Sequence, residues 1–332
     1  MSSVTNLMLW FDDTPGSMYR PFLNLEASGT VGRLRTISHR GVVKQPISYW
    51  KQYVTTQKYR WIVSIPPYAL SVLPLLPAVY LGKRPIFFTS FTHWENDLYY
   101  DLNPAVRAAW RSFLSRSDVV TVTEAARQSL ISAFGVDSTV IPHCCDPTAF
   151  ESRPQEQTDD DIVLFVGRLV EQKGIELLLT LSERNPDIEF WFAGDGDYEA
   201  ELERRSRTQD NVEFLGFLDN TDALVNAYNR ASLKVLPSLK RARWREFFGI
   251  VLIEALACET PVVASDHPGP SSIITNDVGR VISEGDINGF EAAIRELLDN
   301  DKKRAAMGTA GRQHVLNNYS VDVVSDQWRD VL

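Results

Sequence analysis

The chain has 332 residues, is 44% hydrophobic and 23% charged, and carries a net charge of -9. These figures exclude a disordered or collagen-like chain and describe a globular protein long enough for two domains. Three cysteines, two of them adjacent (Cys144 and Cys145), do not make a disulfide framework and point to a reducing compartment.

The longest apolar run, Tyr68 to Leu81, is broken by Pro74 and Pro77 and is too short to cross a bilayer. The opening "MSSVTNLMLWFDD" lacks a basic leader, so a cytoplasmic protein is the expectation. Charge is unevenly spread. From Ala27 to Trp94 there is no Asp or Glu but there are nine Arg and Lys, which leaves -18 for the remainder. An anionic partner for the amino-terminal half would produce this split, and so would a chance run of solvated basic positions.

In chain order, "NPAVRAAWRSFLSRS" predicts a helix with Asn103 as its cap, Pro104 in the first position, and Val106, Trp110, Phe113 and Leu114 on one face. "DVVTVT" follows as a buried strand and "EAARQSLISAFG" as a helix stopped by Gly135. After "STVIP" the polar "ESRPQEQTDDD" reads as a linker. Alternation then restarts, with "IVLFVG", "IEFWFAG", "NVEFLG", "LKVLPS" and "PVVAS" as strands between helices such as "IELLLTLSE" and "TDALVNAYNRA". The pattern predicts an α/β chain of two Rossmann-like, doubly wound domains facing each other across a cleft. The expected bounds are 1–152 and 153–319, with a last helix, 320–332, packing back on the first domain.

"FVGRLVEQKG" brings Gly167, Arg168 and Lys173 to a strand end and a helix start, which suits phosphates. The spacing is neither a Walker loop nor the dinucleotide fingerprint. In "REFFGIVLIEALACETPVVAS", Gly249 permits a sharp turn, and the amides of Gly249, Ile250 and Val251 could receive phosphate oxygens. Arg168 and Lys173 would neutralise a diphosphate alone, so no metal and no cofactor is expected. Glu246 would then lie beside a sugar. Glu254 either accepts both hydroxyls of a ribose or is satisfied by a nearby amide or Arg.

These pieces together resemble the carboxyl-terminal domain of retaining glycosyltransferases of family 4, which have the GT-B fold and include glycogen synthases and mannosyltransferases. "FAGDGDYEAELE", "NVEFLGFL", "VLPS" and the seven residues between Glu246 and Glu254 carry the likeness, which extends back through "DVVTVTEAARQSLISAFG" and "VIPHCCDPTAF". The resemblance implies that Arg168 and Lys173 bind the donor diphosphate, Glu254 the ribose, and Glu246 with the amides after Phe248 the transferred sugar and its phosphate. Gly194 and Gly196 would border the nucleotide, and the base would lie near Phe217. His93, in "TSFTHWEND", matches the family's sugar-contacting histidine. Departures are His143 and Cys144, where the family has Asn-Gly, and the absence of a glycine-rich loop after the first strand.

The implied reaction is transfer of a sugar from a nucleotide-diphosphate-sugar to an acceptor hydroxyl with retention of configuration. In "QPISYWKQYVTTQKYRW", Trp50, Lys51, Lys58 and Arg60 interleave aromatic and basic side chains. That pattern suits an anionic membrane surface and a lipid-linked or other membrane-presented glycan acceptor, or equally a helix packed on a sheet. The enzyme would then be peripheral on the cytoplasmic membrane face. Nucleic acid is not an expected partner, since the basic segment carries no recognisable module. The alternatives are an epimerase or phosphorylase of the same architecture, and a non-catalytic nucleotide-sugar-binding or partner protein.

Overall fold

A computed structural model describes residues 5–11, 20–38, 58–95, 103–156, 161–242 and 244–332. The chain divides into two compact units, Met1–Cys144 with Val321–Leu332, and Cys145–Ser320.

In the first unit, β1 (Leu7–Phe11), β2 (Leu34–Ser38), β3 (Arg60–Ser64), β4 (Ile86–Thr89), β5 (Asp118–Thr121) and β6 (Thr139–Val140) form a parallel sheet in the order β2-β1-β3-β4-β5-β6. Among its described residues before the unit boundary, the helices are α1 (Arg20–Ala27), α2 (Leu76–Tyr80), α3 (Pro104–Leu114) and α4 (Glu124–Phe134). Strands covered on both faces lose the polar alternation, and every residue of β4 is buried. The expected cap of α3 is present: the Asn103 side chain accepts from the Ala105 amide at 2.9 Å, and Trp110, Phe113 and Leu114 are buried. Gly135, at φ 68°, ends α4 in the left-handed conformation.

In the second unit, β7 (Ile162–Val166), β8 (Glu189–Ala193), β9 (Val212–Gly216), β10 (Leu233–Leu236), β11 (Val262–Ser265) and β12 (Gly279–Ile282) are parallel, in the order β12-β11-β10-β7-β8-β9. The helices are α5 (Ile175–Arg184), α6 (Glu199–Thr208), α7 (Thr221–Arg230), α8 (Ile250–Ala257), α9 (Pro268–Ile273), α10 (Ile287–Leu298) and α11 (Asp301–Asn318). The chain winds outward from β7 through β9, then returns to start again at β10 on the other side. Order therefore reverses between β7 and β10, and ligands of open α/β sheets bind outside the carboxyl ends of the strands at such a point. The apolar α8 is buried from Leu252 to Ala257, and α11 lies so close that a Cβ on Gly311 would come within 2.6 Å of Leu256 Cδ2.

The last helix, α12 (Val321–Val331), belongs to the first unit and packs on α1, with the rings of Phe22 and Trp328 at 4.7 Å. The described part of the polar stretch read as a linker belongs to the second unit and is pinned to α7: the Asn229 side chain accepts from the Arg153 amide at 2.5 Å and donates to the Glu151 carbonyl at 2.9 Å. No helix among the described residues is long and apolar enough to cross a membrane.

Candidate active site

Three loops meet at the switch point of the second sheet, and their glycines explain how. The loops after β7 and β8 touch backbone to backbone: a Cβ on Gly194 would lie 1.9 Å from the Gly167 carbonyl oxygen. The loop after β10 closes on the first of these, because a Cβ on Gly174 would lie 2.0 Å from the Pro237 oxygen. The Leu239 amide donates to the Gln172 carbonyl at 2.8 Å and fastens the same pair of loops.

That closure brings Lys173, from the β7 loop, onto Glu246, from the β10 loop. They form an ion pair, and both side chains are about nine-tenths buried, at 12% and 11% exposure. Ser238 donates to the same Glu246 oxygen at 3.0 Å, and the Lys173 ammonium stands 5.1 Å from the centre of the Trp244 ring. Arg168 is exposed and makes no ion pair among the described residues. One cation is thus preset and one is open to solvent.

The turn after Glu246 is held from behind. The Glu246 amide donates to His267 Nδ1 at 2.9 Å, so the other ring nitrogen carries the hydrogen and faces Glu284 at 3.2 Å. Burial lowers the His267 pKa, with Glu284 opposing, which keeps the ring neutral and able to accept. The Gly269 amide donates to the Glu246 carbonyl at 3.2 Å, and Gly269 packs so tightly that a Cβ would meet the Phe248 nitrogen at 2.4 Å.

Gly249, at φ 88°, turns the chain into α8, and the first helix-closing bond runs from the Leu252 amide to its carbonyl at 2.9 Å. The amides of Ile250 and Val251 precede that bond, at the positive end of the helix dipole. Glu254, one turn further on and 8% exposed, accepts from the Tyr228 hydroxyl at 3.3 Å. Phe217 follows β9 and is 67% exposed.

Lys234 was not singled out from the sequence. It lies in β10, is wholly buried, donates to the Val235 carbonyl at 3.0 Å, and stands 5.5 Å from the centre of the Phe165 ring. Burial first, then the charge of Lys173, pull its pKa down to about 7 against the opposing pull of Glu246 and Glu254. A lysine inside "LKVL", otherwise wholly apolar, was the visible signal. For His267 the signal was its place just after a strand, the same one that marked His93.

The structure therefore brings together Gly167, Lys173, Gly194, Gly196, Glu246, Phe248, Gly249, Ile250, Val251 and Glu254 at one edge of one unit. His93 belongs to the first unit, four residues beyond β4, with Thr92 Oγ1 2.9 Å from its Nδ1. Arg60 pairs with Asp118 at 2.5 Å and bridges to the Arg84 carbonyl at 2.6 Å, so it braces the sheet. Lys58 is exposed, while Trp50 and Lys51 lie outside the described residues. Among the described residues no cluster of His, Cys, Asp and Glu could hold a metal ion, and all three cysteines are buried.

Two Rossmann-like units, each with a six-stranded parallel sheet, are the architecture of the GT-B fold. The family model of glycosyl transferases group 1 matches residues 148–314; the chain belongs to that family and is a glycosyltransferase. It is similar to a GDP-mannose-dependent monoacylated alpha-(1-6)-phosphatidylinositol monomannoside mannosyltransferase of Corynebacterium glutamicum, 29% identical over 258 residues that cover 71% of this chain and 68% of the relative. Among solved structures, sucrose-phosphate synthase from Thermosynechococcus elongatus aligns with a TM-score of 0.79 at 17% identity over 98% of both chains. Anabaena HepE in complex with UDP aligns with a TM-score of 0.76 at 16% identity over 99% of both.

Proposed function

We propose that the enzyme moves a sugar from a nucleotide-diphosphate-sugar to a hydroxyl of a lipid-linked or otherwise membrane-presented glycan, with retention. The observation that carries the donor half is the buried Lys173–Glu246 pair at the switch point, beside the α8 amides and Glu254. The acceptor half draws support from the phosphatidylinositol mannoside on which the Corynebacterium relative is named as acting.

In this reading the second unit binds the donor. Arg168, Lys173 and the Ile250 and Val251 amides hold the diphosphate, Glu254 takes the ribose hydroxyls, and Glu246 meets the transferred sugar. Gly194 and Gly196 border the nucleotide, with the base near Phe217. The first unit handles the acceptor, and His93 contacts the sugar. As the anomeric carbon–oxygen bond breaks, its electron pair passes to the diphosphate and positive charge develops on the sugar. Cations and helix amides fixed beforehand stabilise that separation without reorganising. The acceptor oxygen then bonds to the anomeric carbon from the face the phosphate leaves, and its proton passes to a phosphate oxygen. No metal is needed for this charge balance. The enzyme would act on the cytoplasmic face of a membrane.

A panel of donors led by GDP-mannose and UDP-glucose, followed by diphosphate release, tests the proposal. Release from one donor that is lost in Lys173→Met and Glu246→Gln supports it. No release from any donor, or release unaltered by both substitutions, overturns it. Proton NMR of the product's anomeric signal decides retention.

A further inference from the structure

The run from Tyr68 to Leu81 is too short to span a bilayer, and its structure gives it a different use. It forms a 3-10 turn, Leu70–Leu75, that continues into α2. One side is buried through Val72, Leu75, Ala78 and Val79. The other side is apolar too, yet faces solvent: Leu70, Leu73, Tyr80 and Leu81 are exposed by 64%, 44%, 61% and 79%, and Pro77 lies among them. Helical segments of globular proteins put polar residues on the outer stripe, and contiguous apolar patches mark docking surfaces.

The surface is firmly built. Trp110 of α3 donates its indole N–H to the Ala69 carbonyl at 3.1 Å, and the Tyr80 hydroxyl lies 2.7 Å from Ser112 Oγ. The Arg116 guanidinium stacks 4.5 Å from the centre of the Tyr80 ring. Charge along this part of the chain is mostly positive: the described residues 58–95 and 103–118 carry seven Lys and Arg, Lys58, Arg60, Lys83, Arg84, Arg107, Arg111 and Arg116, against Glu95 and Asp118. Asp118, at the end of this stretch, offsets Arg60 and Arg84 in part, and Lys83 turns inward to the Tyr59 carbonyl at 2.5 Å. Arg111 and Arg116 of the neighbouring segment are exposed, and Arg116 lies against the Tyr80 ring.

We propose that this face seats the enzyme on an anionic lipid bilayer, with Leu70, Leu73 and Leu81 entering the acyl boundary, Tyr80 at headgroup level and the arginines on lipid phosphates. Leucines below, an aromatic hydroxyl at the rim and cations around it follow the polarity gradient of a membrane interface. An isologous contact with a second copy would set the same cations against themselves, which a lipid phosphate surface does not. The inference rests on the proposed membrane-presented acceptor only for its purpose.

The test is flotation of the full chain with vesicles of phosphatidylcholine mixed with phosphatidylglycerol, against phosphatidylcholine alone, at low and high salt. Wild-type protein floats with the anionic vesicles and is partly released by salt. A triple variant, Leu70→Ser, Leu73→Ser and Leu81→Ser, alters exposed side chains only, so it keeps its thermal transition but loses roughly tenfold or more of its partitioning. Leu23→Ser, an exposed leucine of α1, leaves partitioning intact. Wild type that does not float, or a triple variant that floats equally well, overturns the proposal. So does a doubling of mass with concentration that the triple variant abolishes, which would assign the face to self-association. Partitioning is read without turnover, and donor hydrolysis surviving in the triple variant separates this result from any failure of the transferase reading.

Discussion

Lys234 offers the sharpest test of the site's electrostatics. Its ammonium is wholly buried, has the Val235 carbonyl as its hydrogen-bond partner, and has no carboxylate within ion-pair reach among the described residues. With a pKa brought from 10.5 to about 7, the folded protein binds fewer protons than the unfolded chain between those values. Stability therefore rises with pH across that window, and the full penalty is felt below it. At 1.36 kcal/mol per unit, a gap of that size corresponds to roughly 4–5 kcal/mol. The lost hydrogen bond to Val235 returns about 1 kcal/mol of this. Lys234→Met keeps an unbranched apolar stem and should stabilise the protein by roughly 2–4 kcal/mol at neutral pH, a Tm increase of about 5–10 °C. Thermal unfolding of both proteins across the window is the assay. Wild type should gain stability with rising pH, and the variant should lack that slope. The variant should also bind UDP or GDP roughly tenfold more weakly, since it withdraws positive charge from beside Lys173. A variant no more stable than wild type at neutral pH, or two parallel pH profiles, would refute the reasoning.

Lys173→Met and Glu246→Gln should each lower kcat by about a hundredfold to a thousandfold, read by diphosphate release, because the first removes a preset cation from the leaving-group site and the second the carboxylate that holds Lys173 and meets the transferred sugar. His267→Ala should lower kcat by roughly tenfold to a hundredfold by freeing the Glu246 turn, and His267→Asn, whose amide oxygen can take the place of Nδ1, should recover part of it. Gly174→Ala should destabilise by about 3 kcal/mol or more, seen as a lower Tm, since its Cβ would lie 2.0 Å from the Pro237 oxygen. Glu259→Gly should do the opposite. Glu259 holds φ 63° just beyond α8, a position that costs a residue with a Cβ about 1 kcal/mol, so the Tm should rise by about 2–4 °C.

Several parts of the fold could be read directly from the residues. Pro104 after Asn103, Gly135 at the end of its helix, and the apolar strands of the second unit each follow from turn chemistry or burial acting over a few neighbours. The polar stretch before β7 shows the limit. Its composition suggested a linker, and Asn229, far along the chain, takes up backbone groups at Glu151 and Arg153. Composition records that a segment is polar and says nothing about whether distant polar groups will satisfy it.

The candidate site divides in the same way. That Lys173, Glu246, Glu254 and the Gly249 turn would fall at strand ends and a helix start was legible, because those turns have a local signature of spacing and residue type. Folding decided the rest. Lys173 and Glu246 are joined because two glycines let three loops close without a Cβ between them, and Glu246 is aimed by a histidine from beyond the next strand. Whether Lys234 is an ordinary cation or a half-neutral one depends on its burial and on the charges of Lys173, Glu246 and Glu254 that other elements place near it. Short-range sterics write the strands and turns into the sequence, whereas proton affinity and ion pairing are set by long-range neighbours that exist only once the sheet is assembled.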